Sequence, residues 1–412
     1  MANKLGKIFK KSEVLKQYYS GFALYDMSAG HMVFEKNADK YFTPASNTKL
    51  FTFYAGLKMV PDSIPALRYV EKGDSLVFWG TGDPSFLQSQ LKGTKAYSFL
   101  KASGKKLFFA AGRYTGDFYG KGWQWDDYND YYQAEINELP LFDNLVDLRN
   151  SNGKLQITPK YFSNKLTADS TSKSITFSVK RAFNDNAFSY PLAPLPANYN
   201  QKVPHKVGPE ITIALLSDTL AKPVNLISMA MPANAKTLYG IKSDSVFKEM
   251  MLPSDNFIAE QLLLVYSNQL GQELSSEKAI VHIQKEYLTP LPDKFIWADG
   301  SGLSRYDLVT PRAVIKLLDL IYKEVNDPKR LFAMLPAGGM SGTLRNAYPK
   351  TTEPFVFGKT GSLANVHNQS GYIVTKKGKT YFFSFLNNNF VLQTAEVRKE
   401  MVRIMTYIHE KY

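Results

Sequence analysis

Three short strings hold residue types that together can break an acyl bond: Ser46-Asn47-Thr48-Lys49, Ser254-Asp255-Asn256 and Lys359-Thr360-Gly361. A serine hydroxyl is a weak nucleophile until a neighbouring base takes its proton, and a lysine three residues on shares its helical face. Lys49 is therefore the candidate base for Ser46. To act so it must be neutral part of the time, a state favoured by partial desolvation and by a second ammonium nearby, for which Lys359 is the candidate. Ser254 has the hydroxyl to relay a proton to a leaving amine, and Asn256 offers a donor and an acceptor to a substrate amide. Thr360, Gly361 and Ser362, at a strand end, would present backbone groups and two hydroxyls to an extended peptide and its terminal carboxylate. Each string alone is common in a chain this rich in Ser and Lys. Ser46 by itself reads as a helix cap with an exposed lysine after it. Their order, with the first opening a helix and the third ending a strand, carries the inference.

The helix behind Ser46 is the apolar run Leu50 to Val60, reached through Thr43-Pro44-Ala45, so Ser46 falls at or just inside its N-terminus. Before it, Leu5, Ile8, Phe9, Val14 and Leu15 predict helix through about Tyr19. Phe22 to Asp26 and Met32 to Glu35, joined across Ser28-Ala-Gly-His, predict a β-hairpin. From Pro61 to Tyr239 short apolar runs are broken by Gly, Pro, Asn and Ser, which predicts strands and loops. Helices return at Phe257 to Tyr266 and Ala313 to Val325. A strand at Phe355 to Lys359, a hairpin from Tyr372 to Phe385 and a last helix with Val397, Met401, Ile404, Met405 and Ile408 on one face complete the chain. At 412 residues it exceeds a single core. The expected division is 1–62 with 240–412 as the catalytic domain, 63–150 with 205–239 as an inserted domain, and 151–204 as a possible small third one.

Composition narrows the chemistry. With 44% hydrophobic and 21% charged residues the chain is globular and not disordered. It has no cysteine, which removes disulfides, thiolate metal sites and cysteine nucleophiles, and its five histidines form no close pair for a metal. No metal and no cofactor is expected. The formal charge of +13 suits an anionic cell wall, nucleic acid or lipid, but the basic runs are short and read as a solvated surface. No run reaches the roughly 18 apolar residues of a membrane span, so no transmembrane segment is expected. Met1 to Lys7 has no apolar signal core, which fits either an unaddressed chain or a mature exported one.

The three strings are the signature set of serine β-lactamases and penicillin-binding proteins. More specifically, the chain resembles the class C low-molecular-mass penicillin-binding proteins, of the penicillin-binding protein 4 type, which are serine D-alanyl-D-alanine carboxypeptidases and endopeptidases. Trp79-Gly-Thr-Gly-Asp-Pro-Ser resembles that family's G-S-G-D-P string, and Trp125-Asp-Asp-Tyr its W-x-D-D segment. Asp299-Gly-Ser-Gly-Leu-Ser-Arg305 matches D-G-S-G-L-S-R, and Leu335 to Leu344 resembles L-P-x-x-G-x-D-G-T-L. The likeness runs from about Phe22 to the C-terminus. Ser341 stands where the pattern leads us to expect Asp, Ala347 where it leads us to expect Arg, and Ser362 where Thr is usual.

The resemblance implies an α/β (α+β) fold, a serine-transpeptidase/β-lactamase-like domain with an antiparallel sheet flanked by helices, plus inserted β-rich domains. It implies hydrolysis of D-Ala-D-Ala or of a D-alanyl cross-link in peptidoglycan stem peptides, through an acyl-enzyme on Ser46 that β-lactams trap. The oxyanion would rest on the Ser46 and Ser362 amides, and the location, inferred from the substrate, is the periplasm or extracytoplasmic envelope. Nucleotide binding fails because the P-loop glycine would fall at 353, where Glu stands. An α/β-hydrolase fails for want of G-x-S-x-G. A class A β-lactamase fails twice: Ser254 follows Ser46 by about 200 residues rather than a few dozen, and no deacylating Glu with Asn four residues on lies between the second and third strings. The alternatives are a catalytically weak wall-binding or β-lactam-sensing module and, from charge alone, a nucleic-acid binder; no nucleic-acid partner is expected.

Overall fold

The computed structural model describes all 412 residues. The two ends of the chain build one antiparallel sheet, in spatial order Val356–Leu363, Val366–Val374, Thr380–Asn388, Tyr19–Asp26 and His31–Lys36. Strand residues point alternately to opposite faces, and Thr380–Asn388 shows both faces being used. Phe382 and Leu386 enter a core with Phe51, Leu262 and Leu318, from the helices Lys49–Met59, Asn256–Asn268 and Pro311–Val325. Phe383 and Phe385 pack on the other face against Leu5 and Phe9 of the helix Ala2–Lys11 and against Val397 and Met401 of the helix Thr394–Lys411. This is the α/β sheet with helices on both sides that the motifs imply. The helix Lys49–Met59 is buried on every side over its first eight residues, so its sequence shows no polar stripe.

Between Ser63 and Lys242 lies a second five-stranded sheet, in the order Val224–Ile227, Lys106–Ala110, Ser75–Trp79, Ser63–Lys72 and Lys236–Lys242. The first three strands are parallel neighbours and the remaining pairings are antiparallel. Two helices, Lys95–Ala102 and Pro209–Leu220, pack on it through Leu100, Leu215 and Leu216. Here the structure departs from the strand-and-loop reading of 61–239. The first of these helices has only eight residues, too few to show a period, and the second is flagged only by a proline at its start. Two three-stranded sheets complete the region, one of Asn200–Pro204, Leu145–Ser151 and Lys154–Thr158, the other of Leu166–Asp169, Phe188–Pro191 and Lys180–Arg181. Val146 and Phe188 of these sheets, with Phe162 from the short helix Lys160–Lys165, share one apolar core with Phe78 and Phe109 of the mixed sheet.

No helix is long and apolar enough to cross a membrane. The segment 112–138 touches both halves of the molecule. Arg113, 5% exposed, donates to the Gly80 carbonyl (2.6 Å) on its own side and to Asn268 Oδ1 (2.9 Å) and the Gln272 carbonyl (2.9 Å) across the junction. Gln261 answers from the other side, its Nε2 donating to the carbonyls of Gly82 (3.1 Å) and Asn137 (2.8 Å).

Candidate active site

Ser46 sits in a tight turn, Ala45–Thr48, that runs unbroken into the helix Lys49–Met59. The continuous winding brings Lys49 Nζ to 3.1 Å from Ser46 Oγ. Lys49 has two more partners, Asn256 Oδ1 at 2.6 Å and the Ser301 carbonyl at 2.8 Å. A neutral amine carries two hydrogens and one lone pair. In that form the two carbonyl oxygens would accept both hydrogens and leave the lone pair facing the Ser46 hydroxyl, while the ammonium donates to all three oxygens. Burial explains why the amine can be neutral: Lys49 is wholly buried, and loss of hydration pushes its ammonium down to about 8 despite the opposing carboxylates of Asp299, Glu260, Asp255 and Asp307. The second lysine acts differently from the expectation. Its own burial, and then the charge of Lys49, hold Lys359 well below the usual lysine range, so the repulsion is expressed on Lys359.

The second string divides its labour residue by residue. Ser254 has φ +68°, a left-handed backbone that is strained for a residue with a Cβ. The kink turns its hydroxyl to Lys359, whose Nζ donates to Ser254 Oγ (2.7 Å) and to the Thr360 carbonyl (2.7 Å). Asp255 caps the next helix, Oδ1 accepting from the Ile258 amide at 2.8 Å, so Asn256 becomes that helix's first residue. Asn256 Nδ2 donates to the Tyr132 carbonyl (3.1 Å), which fixes the amide with Oδ1 towards Lys49. Its amide thus bonds Lys49, where the sequence suggested a substrate contact.

The third string lies inside the strand Val356–Leu363, two residues short of its end. Gly361 is required by contact. A Cβ there would lie 2.6 Å from the Pro44 carbonyl and 2.9 Å from the Ser46 amide nitrogen, so only glycine lets the strand press on the nucleophile turn. Asn47 Nδ2 ties the two together through the Lys359 carbonyl (3.3 Å), and Asn368 Nδ2, from the next strand Val366–Val374, donates to the Thr43 and Pro44 carbonyls just before the turn (2.9 Å each). The Gly358 amide donates outward to Pro336, away from the neighbouring strand. By the period of two, the Thr360 and Ser362 amides point to the same open edge. The Ser46 amide, in the first turn of its helix, is also free of intrahelical pairing. An extended substrate laid along this edge meets Ser46, two amides and the Thr360 and Ser362 hydroxyls.

Residues 1–409 match the D-Ala-D-Ala carboxypeptidase 3 (S13) family. The chain belongs to this family. D-alanyl-D-alanine carboxypeptidase DacB of Haemophilus influenzae is 24% identical over 413 residues, covering 89% of this chain and 85% of the relative. The crystal structure of penicillin binding protein 4 (dacB) from the same organism superposes with a TM-score of 0.78 at 18% identity, covering 100% of each chain. A predatory peptidoglycan endopeptidase from Bdellovibrio bacteriovorus shares the fold at a TM-score of 0.53 and 14% identity, over 95% of this chain and 93% of that one. The S13 chain is a serine-type D-Ala-D-Ala carboxypeptidase of mixed α/β fold, as its motifs imply.

Behind the reacting groups, the S13 chain builds a buried acidic shelf whose function the sequence reading missed. Glu260 accepts from the amides of Gly300 (3.0 Å) and Ser301 (2.7 Å), and Asp299 from the amides of Gly302 and Ser304, each at 2.7 Å. Between them they hold the Ser301 carbonyl on Lys49. Gly302, at φ +82°, has the Ala45 carbonyl 1.9 Å from where a Cβ would stand, so this loop lies hard against the turn that carries Ser46. Burial first, and the Asp299 charge second, push Glu260 up to about 8 and Asp307 far above the carboxylate range. Asp307 in turn accepts from Thr48 Oγ1 (3.2 Å). The D-G-S-G-L-S-R match marked the loop, but only the fold shows its Ser301 carbonyl on Lys49. Trp123, from the 63–242 region, donates its indole N–H to Asp299 Oδ2 at 2.8 Å.

Proposed function

We propose that Ser46 attacks the carbonyl carbon of the penultimate D-Ala of a peptidoglycan stem peptide, with Lys49 as the base, to give an acyl-enzyme that water then hydrolyses. The observation that carries this reading is the placement of Lys49 Nζ, 3.1 Å from Ser46 Oγ and held by Asn256 Oδ1 (2.6 Å) and the Ser301 carbonyl (2.8 Å), which in the neutral amine would take both hydrogens. As the C–N bond breaks, the proton reaches the leaving amine through Ser254, whose hydroxyl Lys359 holds. The Ser46 and Ser362 amides would bear the oxyanion, each worth on the order of 3 kcal/mol. Thr360, Gly361 and Ser362 line the extended leaving side of the substrate. The leaving group is D-Ala in carboxypeptidase action and a cross-linked diamino acid in endopeptidase action.

β-Lactams should acylate the same serine and leave slowly, since no deacylating Glu of the class A kind is present. From that substrate we infer a location in the periplasm or the extracytoplasmic envelope. For the chain's organisation we propose 1–62 and 240–412 as the catalytic body, with the residues between as an insertion clamped against it. The direct test is incubation with a pentapeptide muropeptide and with a cross-linked dimer, followed by mass spectrometry. Release of D-Ala, or of monomers, by the parent chain and not by Ser46→Ala is the expected result. Intact substrates in both cases would contradict the reading.

A further inference from the structure

Two basic runs that read singly as solvated surface meet in the fold. Residues 1–18 and the turn 375–379 hold eight lysines and one acidic residue, Glu13, so these two short segments carry +7 of the chain's formal +13. The helix Ala2–Lys11 buries Leu5 and Phe9 against the sheet and leaves Lys4, Lys7, Lys10 and Lys11 exposed. Phe9 packs on Phe22 and Phe385 (5.0 and 5.6 Å between ring centroids), whereas Gly6 lies against Phe34, two residues nearer the His31 end of its strand. Towards its N-terminus the helix therefore runs to the end of the sheet where the turn 375–379 stands. The turn lies to the same side, since the Lys376 amide donates to the His409 carbonyl (2.9 Å) near the end of the helix Thr394–Lys411, which shares that face. From the strand Thr380–Asn388, which leaves the turn, to the strand His31–Lys36 beneath the first helix is two strand spacings, roughly 10 Å. Lys16, on Glu13 (2.7 Å), and Lys379, 3.9 Å from Asp26, have carboxylate partners; the other six lysines have none. Unpaired like charges at this spacing repel, and an anionic surface would relieve them.

We infer that this lysine face docks the protein on a bilayer rich in anionic phospholipid headgroups, with the Ser46 cleft directed away from it. All eight residues are lysines, point charges on flexible stems rather than the planar forks that select one ligand geometry, and this suits a broad, delocalised negative surface. The apolar side of the helix is buried in the protein's own core, so the contact is made by charge and not by insertion. Ser46 and the helix behind it lie on the other face of the sheet, and the cleft stays open when the lysine face is covered. The inference goes beyond the proposed reaction and does not depend on it.

The test is co-sedimentation of the full chain with vesicles of phosphatidylcholine alone, and of phosphatidylcholine and phosphatidylglycerol in equal parts. Binding to the anionic vesicles only, released as salt rises from about 0.1 to about 0.5 M, is the expected result. Lys4→Gln combined with Lys7→Gln, Lys376→Gln and Lys377→Gln should weaken it at least about tenfold. The same loss of charge elsewhere, in Lys154→Gln with Lys160→Gln, Lys173→Gln and Lys180→Gln, should leave binding within about twofold of the parent, because those exposed lysines lie outside this face. Arginine at positions 4, 7, 376 and 377 should retain binding, which keeps the test decisive if the glutamine variant melts early. Absence of vesicle binding, equal binding to both kinds of vesicle, or equal losses in the two glutamine variants overturns the inference. So does capture by an anionic polysaccharide such as polygalacturonate without binding to the anionic vesicles.

Discussion

The chemistry proposed for this S13 chain turns on which of two buried lysines, Lys49 or Lys359, is neutral and when. Lys49 titrates near 8, and its neutral form is the one that can take the Ser46 proton. Raising the pH deprotonates it, so the rate of acylation by a β-lactam should climb through a midpoint near pH 8. Stopped-flow acylation from pH 6 to 9 checks this, and a flat profile would contradict it. Lys49→Arg keeps the charge and loses the base, because a guanidinium stays protonated in proteins. It should slow acylation by at least about 10²-fold, at the low end of the usual contribution of a general base. If Ser254→Ala proved the more damaging of the two, the Ser254 and Lys359 pair, bonded at 2.7 Å, would be the better base. The residues themselves were legible in the sequence, since Ser46 and Lys49 need only one helical turn to meet. The carbonyls of Ser301 and Tyr132 were not, because a backbone oxygen has no signature and the fold brings each from more than a hundred residues away.

Elements position these groups by backbone contact as much as by side chains. The strand Val356–Leu363 leans on the nucleophile turn at Gly361, and the loop after Asp299 leans on it at Gly302. Gly361→Ala should push the strand off the turn and cost about 1–3 kcal/mol of stability, as overpacking does. It should also widen the gap between the Ser46 and Ser362 amides. The measurement is thermal melting together with penicillin acylation. The expected result is a folded protein with acylation reduced more than tenfold, and a variant that melts and acylates like the parent would contradict the contact. The helix Pro311–Val325, with its strong apolar period, and the hairpin from Tyr372 to Phe385 were legible at this scale, whereas residues 366–371, mostly polar yet buried in the strand Val366–Val374, were not. The helices Lys95–Ala102 and Pro209–Leu220 were not, since their burial depends on a sheet whose strands lie far off in sequence.

At the scale of the molecule, the 63–242 region reaches into the candidate site. It supplies the Tyr132 carbonyl that orients Asn256 and the Trp123 indole that bonds Asp299. Arg113 is the main clamp, and burial lowers its guanidinium only to about 10, so it is charged at neutral pH. Arg113→Met leaves the Gly80, Gln272 and Asn268 oxygens without their donor and should cost roughly 3 kcal/mol or more. Calorimetry should show a lower Tm, with the single transition broadening or splitting as the two bodies uncouple. An unchanged melting profile would show that the clamp contributes little. Texture and spacing told of an insertion between Ser46 and Ser254. The parallel pairing of Val224–Ile227 with Lys106–Ala110, more than a hundred residues apart, was beyond any local pattern.

The central claim is that Ser46, with Lys49 as its base, is the acylated nucleophile. Labelling the whole protein with a fluorescent penicillin, digesting it and mapping the adduct by mass spectrometry tests it most directly. The account predicts a single labelled peptide containing Ser46, an adduct that decays slowly, and no label in Ser46→Ala. Label on a peptide lacking Ser46, or undiminished labelling of Ser46→Ala, would contradict it.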